Sequence, residues 1–412
     1  MPWQEVKVKA EKGIRFFFII AALFSFLTYA HDLARELAFS EFDDAGHYYI
    51  CAKLLGEGYD IFKGSPQEAE RAARIVQEMA TAKSQYYMPL HSLNFFLLFL
   101  PFTCLPYHQA AVSWVILTNL LFICGIFFIL QYFGRLPLWK VCSVVFMAFF
   151  IWPLREEMHF GQPNILIVFL FAAGLLALKR KNDFALGACL ALGIAVKEIF
   201  AVVLLFLLWL RNWRAFFWAL GTFALLKAAA ILVFGLSSEI SYWHYQYGVW
   251  GLGFPRGTMS ISFAETVRRM CGAVISEKVI AQAVLFVNLS LFAWLLRLVG
   301  AKNRFLGEKK TALGFCLFFL AAILTAPWLR ETHLVTAAIP LLVAWLCLDG
   351  VTKTGYYILF AVAYLMIGLR YSVLSFQPFY SGALSIFCAL KTLGCLVLFY
   401  LIGKLIKEKD VV

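Results

Sequence analysis

Two adjacent aspartates, Asp43 and Asp44, lie in a polar, acidic and aromatic stretch running from Phe39 to Phe62. A carboxylate is a competent general base toward a weak nucleophile such as a hydroxyl, provided it lies within hydrogen-bond reach of the proton it takes. Further along come His47, His159, Gln162, Asn164, Lys197, Glu198, Arg256, Arg268, Arg269, Arg330, Glu331 and His333. Cations in this set suit stabilisation of the negative charge that grows on a departing phosphate. One acid and several cations suffice for displacement of a phosphate by a hydroxyl, and that chemistry demands neither a metal nor an organic cofactor. The ten cysteines show no CxxC or Cys/His spacing that would suggest a metal site.

The elements that must position these groups are membrane helices. Of the 412 residues, 62% are hydrophobic and only 15% charged, with 42 Phe, and the mean hydropathy is +0.80. That is too apolar for a soluble domain, and the apolar runs are long enough to cross a bilayer, so the expected class is an all-α, polytopic integral membrane protein. The formal net charge is +12. In a soluble chain this would raise the question of nucleic acid. Here the basic residues cluster in short loops between apolar segments, which is the positive-inside pattern, and no nucleic-acid partner is expected.

Lys7, Lys9, Lys12 and Arg15 precede an apolar run ending at Ala30. It reads as an uncleaved first helix leaving the cytoplasm, although Thr28-Tyr29-Ala30 is a tolerable leader-cleavage site. Residues 31–89 then form a first external loop carrying the aspartates. Within it, Pro66 to Ala82 places Ala72, Ile75, Val76 and Met79 on one face and reads as an amphipathic helix lying on the membrane. Leu90 to Cys104 is short and proline-broken, which predicts a partial or re-entrant segment entered through Tyr86-Tyr87-Met88-Pro89. The apolar stretch between Lys181 and Arg211 joins two basic loops, so it predicts a hairpin of two short helices with Lys197 and Glu198 near its external tip. Residues 235–278 make a second external region. The count comes to about twelve crossings in one polytopic domain, residues 1–412, with both termini cytoplasmic.

This orientation rests on Lys and Arg in short loops, yet most residues with acid, base or amide chemistry then fall on the outer side. An external cavity mixing carboxylate, histidine and cations suits an enzyme that handles an anionic ligand delivered from the membrane. Asp44 is the candidate base, with Asp43 as the second choice; a helix cap is the plain alternative for Asp44. Lys197, with Arg330 or His333, would pair with a phosphate, although Lys197 could snorkel to headgroups and His333 could cap a helix. Tyr48 and Tyr49 would wall the cavity or anchor at the interface. Gln162 and Asn164 would touch ligand or join helices through amide bonds. His159 and Arg256 complete the candidate binding set, and Arg268 and Arg269 are solvated, lipid-paired or ligand-bound. Glu198 is an ion-pair candidate for Lys197, and Lys227, inside a span, suggests an inter-helix pair or a local water pocket.

In these residues the chain resembles the polyprenyl-phosphate-sugar-dependent glycosyltransferases of the GT-C superfamily, specifically glycosyltransferase family 87. That family's first external loop reads Asp, three residues, Tyr-Tyr, two residues, Ala, five residues, Gly; Asp44, Tyr48, Tyr49, Ala52 and Gly58 keep this spacing, followed by Phe62. Tyr87-Met88-Pro89 partly matches a Tyr-Pro-Pro motif, Leu105-Pro106 matches a leucine-proline element, and Gly161-Gln162-Pro163-Asn164 matches Gly-Gln-x-Asn. Gly193 to Lys197 matches a Gly-Leu-Ala, Lys-Pro element, with Glu198 in place of proline. Ala326-Pro327 and Glu331-Thr332-His333 stand where the family has Ser-Pro, Ser-Trp and His-His, so only the second histidine remains. The resemblance implies an external active site, an undecaprenyl- or decaprenyl-type phosphate sugar donor, inversion at the anomeric carbon and Asp44 as general base. Mannose is the commonest donor sugar in that family.

The expected activity is therefore transfer of a hexose or pentose from a polyprenyl phosphate to an envelope glycolipid or glycan, outside the cytoplasmic membrane. The alternative is a transporter or flippase of lipid-linked sugars. Such a protein would often show two related halves and ionisable residues at the bilayer midplane, and neither pattern is clear in this chain.

Overall fold

The computed structural model describes residues 2–79, 91–251, 260–271, 274–300, 307–349, 351–370, 379 and 381–408. Among these, every regular element is a helix. The chain opens with α1 (Pro2–Phe39), α2 (Asp43–Gly56), α3 (Pro66–Met79), α4 (Leu93–Phe99), α5 (Tyr107–Phe133), α6 (Leu138–Phe150), α7 (Trp152–Phe160) and α8 (Asn164–Lys179). It continues with α9 (Asp183–Val196), α10 (Leu204–Leu210), α11 (Trp213–Phe234), α12 (Leu236–Gly251), α13 (Phe263–Cys271) and α14 (Glu277–Val299). It closes with α15 (Glu308–Leu324), α16 (Ala338–Cys347), α17 (Thr354–Gly368) and α18 (Leu390–Lys407). Tight 3₁₀ turns at Leu100–Cys104, Glu198–Val203, Glu331–Ala337 and Ala383–Ala389 extend α4 or lead into α10, α16 and α18.

Five described helices are long and apolar enough to cross a membrane: Lys12–Phe39, Tyr107–Phe133, Trp213–Phe234, Glu277–Val299 and Ala383–Lys407. The pair α6–α7, bent by 50°, makes a sixth if it is one broken span. The bend follows from Ile151, whose extended backbone interrupts the helix, and from Pro153 in the first turn of α7. Six further apolar helices have only 10–17 residues, so length identifies fewer spans than the about twelve crossings the basic loops predict. Large apolar side chains stand exposed on α1 (Phe16, Phe17, Leu23, Phe24), α11 (Phe217, Leu225, Leu232) and α14 (Leu285, Phe286, Leu289). Water would penalise so broad an apolar surface, whereas lipid tails solvate it.

The chain between Lys181 and Arg211 is a hairpin, as its two basic ends predict. Asn212 Nδ2, past the end of α10, donates to Asp183 Oδ1 at the start of α9 over 2.7 Å, so the two ends meet. Lys197, in extended conformation between α9 and the 3₁₀ turn, is the apex. With 14 residues in α9, the apex stands about 20 Å from the basic end. A side chain at Gly193 would run into the Phe171 ring. Phe171 in turn joins Phe200 and Phe319, with centroids 4.8–5.4 Å apart, and this aromatic core fixes the apex against α8 and α15.

The amphipathic helix of the first loop behaves differently from expectation. Ala72, Ile75 and Met79 of α3 are buried in the protein's own core, and α3 packs on α2. An apolar stripe at helical spacing specifies burial but not what does the burying. Here the partner is protein and not lipid. Residues 80–82, the end of the expected helix, lie outside the described residues.

Candidate active site

The site is built around the start of α2. Phe42, the residue that enters this helix, is buried and adopts a left-handed backbone, φ 49° and ψ 59°. A bulky side chain rarely tolerates that conformation, so the surroundings must hold it. Tyr107 does so: its hydroxyl donates to the Glu41 carbonyl and, at 3.2 Å, to the Phe42 carbonyl. Asp44 follows in the first turn of α2, 6% exposed, where the unsatisfied N–H groups and the helix dipole favour a carboxylate.

The turn between α7 and α8 delivers an amide to Asp44. Gly161 has φ 66°, and a Cβ there would meet the Ala45 Cβ at 2.8 Å, so only glycine lets the turn come this close to α2. Trp114 Nε1 fixes the turn by donating to the Gly161 carbonyl over 2.9 Å. Gln162 Nε2 then donates to Asp44 Oδ2 at 2.5 Å. The other end of the amide, Gln162 Oε1, accepts from Asn164 Nδ2 at 2.8 Å and from Thr332 Oγ1 at 3.1 Å. Two donors on the oxygen oblige the NH₂ to face the carboxylate. Asn164 Nδ2 also donates to Glu157 Oε2 at 2.8 Å, and the Ile165 amide donates to Glu157 Oε1 at 3.1 Å. Glu157, 1% exposed, thus satisfies the N-terminus of α8 and closes a relay from Asp44 through Gln162 and Asn164.

Cations surround this relay. Arg330 Nη1 lies 3.4 Å from Asp44 Oδ2, with its guanidinium 5.1 Å from the Phe160 ring centre. Lys197, half-buried at the hairpin apex, feels the charges of Glu157, Arg330 and Asp44. Two carboxylates facing two cations is the balance that lets charge stay buried. His333 is buried as well, and its Nδ1 accepts from the Arg330 backbone N–H at 3.3 Å, which leaves Nε2 to carry the ring proton. His91 completes the wall: its ring centre is 5.0 Å from that of Tyr48 and 4.5 Å from that of Phe95. Burial pushes His47 down to about 3, so it stays neutral.

Comparison with known protein families gives this arrangement a context. The sequence profile of glycosyltransferase family 87 matches residues 90–320, more than half of the chain. The chain belongs to glycosyltransferase family 87. No curated protein matches it. Membership makes the protein a glycosyltransferase of the membrane, which decides between transferase and transporter. Glu157, Gln162, Asn164 and Lys197 fall inside the matched region, whereas Asp44, Arg330 and His333 reach the same site from either side of it.

In this family 87 enzyme the structure brings together Asp44, Gln162, Asn164, Lys197, Arg330 and His333, with Tyr48 in the adjoining wall. Other candidates lie elsewhere. Tyr49 turns away to donate to the Leu105 carbonyl at 3.0 Å. His159 pairs through Nδ1 with Glu36 Oε2 of α1 at 2.9 Å, and its side chain is 55% exposed. Asp43, beside Asp44 in the first turn of α2, is half-buried. Arg268 is held by Glu265 and Glu277, and Arg269 by Glu265. Arg256 and the Tyr87-Met88-Pro89 motif lie outside the described residues. Glu198 is not tied to Lys197 by any hydrogen bond; its Oε2 accepts from Tyr242 OH at 2.6 Å. Lys227 makes the inter-helix pair expected of it, 2.7 Å to Glu239.

Glu157, Thr332 and His91 are the members that sequence reasoning missed. Glu157 had a usable signal: it lies seven residues before Asn164, across a glycine turn that folds the chain back on itself. His91 and Thr332 carry no such local signal.

Proposed function

We propose that this enzyme transfers a sugar, mannose or another hexose or pentose, from a polyprenyl-phosphate donor to an envelope glycolipid or glycan, with inversion and with Asp44 as general base. The observation that carries the reading is the meeting of a buried carboxylate with Arg330 and Lys197 at one end of the helical bundle. An acceptor hydroxyl attacks the anomeric carbon from the face opposite the phosphate. The new C–O bond forms as the bond to the phosphate oxygen breaks, and the hydroxyl proton passes to Asp44. The leaving phosphate departs with the electron pair, and its negative charge rises from one to two. Lys197 and Arg330 oppose that growing charge from fixed positions, where stabilisation is most effective.

Gln162 holds the carboxylate in register, and the buried amide oxygen of Asn164 and indole N–H of Trp328, which have no hydrogen-bond partner among the described residues, are groups that sugar hydroxyls satisfy. The Asp44 end of the bundle faces the outer side of the cytoplasmic membrane, with both termini inside, because basic residues cap the opposite loops. The donor then presents its phosphate at the outer headgroup level while its tail stays in the bilayer.

The test is transfer by the purified enzyme from a panel of synthetic polyprenyl phosphate sugars, mannose first, with the anomeric configuration of the product read by NMR. The reading expects transfer from at least one such donor with inverted configuration. Transfer only from nucleotide sugars, or a product of retained configuration, contradicts it.

A further inference from the structure

The 3₁₀ turn Glu331–Ala337 and its N-cap Arg330 carry two of the groups that meet Asp44 and Gln162, and part of what holds this turn, at the start of α18, lies beyond the matched region of the family. Successive side chains of a 3₁₀ turn point about 120° apart, so Glu331 and Thr332 cannot face the same neighbour. Arg330 and Thr332 face α2 and the α7–α8 turn. Glu331 faces the other way and forms an ion pair with Lys391, in the first turn of α18. Lys391 is 2% exposed, so its ammonium needs nearby negative charge, which Glu331 supplies with Glu156 behind it. The charges of Glu156 and Arg370 also act on Glu331, with Arg370 itself 4.3 Å over the Trp152 ring. The next residue, Thr392, donates through Oγ1 to the Ile261 carbonyl, and the Ile261 amide donates to the Leu329 carbonyl at 2.6 Å. Ser262 Oγ donates to the Pro327 carbonyl at 2.9 Å. The segment 327–331 is thereby gripped from the side away from the substrate.

We infer that Lys391 is a positioning residue: by holding Glu331 it fixes the rotation of the turn that sets Arg330 against Asp44 and Thr332 against Gln162. The inference rests on the proposed role of Asp44. Relaxing the ion pair lets the turn rotate, and one rotation moves both Arg330 and Thr332. The Gln162 amide then loses one of the two donors that orient it.

The test is steady-state transfer by the full-length purified enzyme carrying Lys391→Met, Arg330→Gln or both, with Asp44→Asn as reference and melting temperature measured on each. Lys391→Met is expected to lower kcat by about 10- to 100-fold, with little change in donor KM. In the Arg330→Gln background the same change is expected to cost clearly less than it does in wild type, because one of the two groups it positions is gone and only the Thr332–Gln162 contact is left to lose. The swapped pair Glu331→Lys with Lys391→Glu is expected to recover part of kcat. If Lys391→Met does not fold, Lys391→Arg takes its place in the same cycle. A variant that melts earlier but keeps kcat per folded molecule overturns the inference, as do losses that multiply with Arg330→Gln. Full transfer by Asp44→Asn instead overturns the proposed base, a result separable from either of these.

Discussion

Two buried polar clusters, one around Asp44 and one around Lys227, use the same kinds of residue to different ends. Lys227 meets Glu239 at 2.7 Å, Trp243 Nε1 donates to the same carboxylate at 2.7 Å, and the rings of Tyr242, Trp243 and Phe223 surround the ammonium at 5.3–5.9 Å. All five residues come from α11 and α12, consecutive in the chain. The lysine has its counter-charge and its aromatic shell within one helical pair, which is how a charge is made tolerable inside a membrane protein. Asp44 instead draws its surroundings from distant segments: α2, the α7–α8 turn, the hairpin apex at Lys197 and the turn at Arg330. Burial of charge alone therefore does not mark a site, and what supports the proposed one is the convergence of several segments on one carboxylate with two cations beside it.

Apart from Asp44 itself, that contrast is broken most severely at Lys197. Lys197→Met is expected to lower transfer by about 100- to 1,000-fold, the range for losing one preorganised charge stabiliser, in an assay of initial rates with saturating donor. Lys227→Met should do the opposite: breaking a buried pair costs about 3–5 kcal/mol of stability, seen as a lower melting temperature, while transfer per folded molecule persists. Gln162→Leu removes the amide that orients Asp44 and should cost about 10- to 100-fold in kcat with the fold retained. Gly161→Ala should act in the same direction, because its Cβ meets Ala45 and its backbone is left-handed; both kcat and melting temperature should fall. His159→Ala, at an exposed pair with Glu36, should change transfer by no more than about twofold.

Much of the site was legible in the sequence because a polar residue in so apolar a chain is conspicuous. Asp44, Gln162, Asn164, Lys197, Arg330 and His333 stand out in this way, and the hairpin followed from its two basic ends. Helical phase hid the rest. In the run Arg155-Glu156-Glu157 all three residues are charged, yet Arg155 reaches Asp32, Glu156 accepts from Trp152, and only Glu157 turns inward. His159, the residue of that helix that sequence reasoning favoured, ends on the α1 side. Lys391 reads in sequence as an ordinary lysine near the start of a span, since nothing local announces Glu331 some sixty residues earlier in the chain. The stripe on α3 was legible as amphipathic, but periodicity cannot distinguish a protein partner from a lipid one.

The most direct measurement is transfer of radiolabelled sugar from polyprenyl phosphate donors by wild type, Asp44→Asn and Asp43→Asn, purified side by side with matched melting temperatures. The expected result is loss of transfer by about 100- to 10,000-fold for Asp44→Asn, with Asp43→Asn largely active. Comparable activity in wild type and Asp44→Asn, or a loss confined to Asp43→Asn, would contradict the assignment of Asp44 as the base.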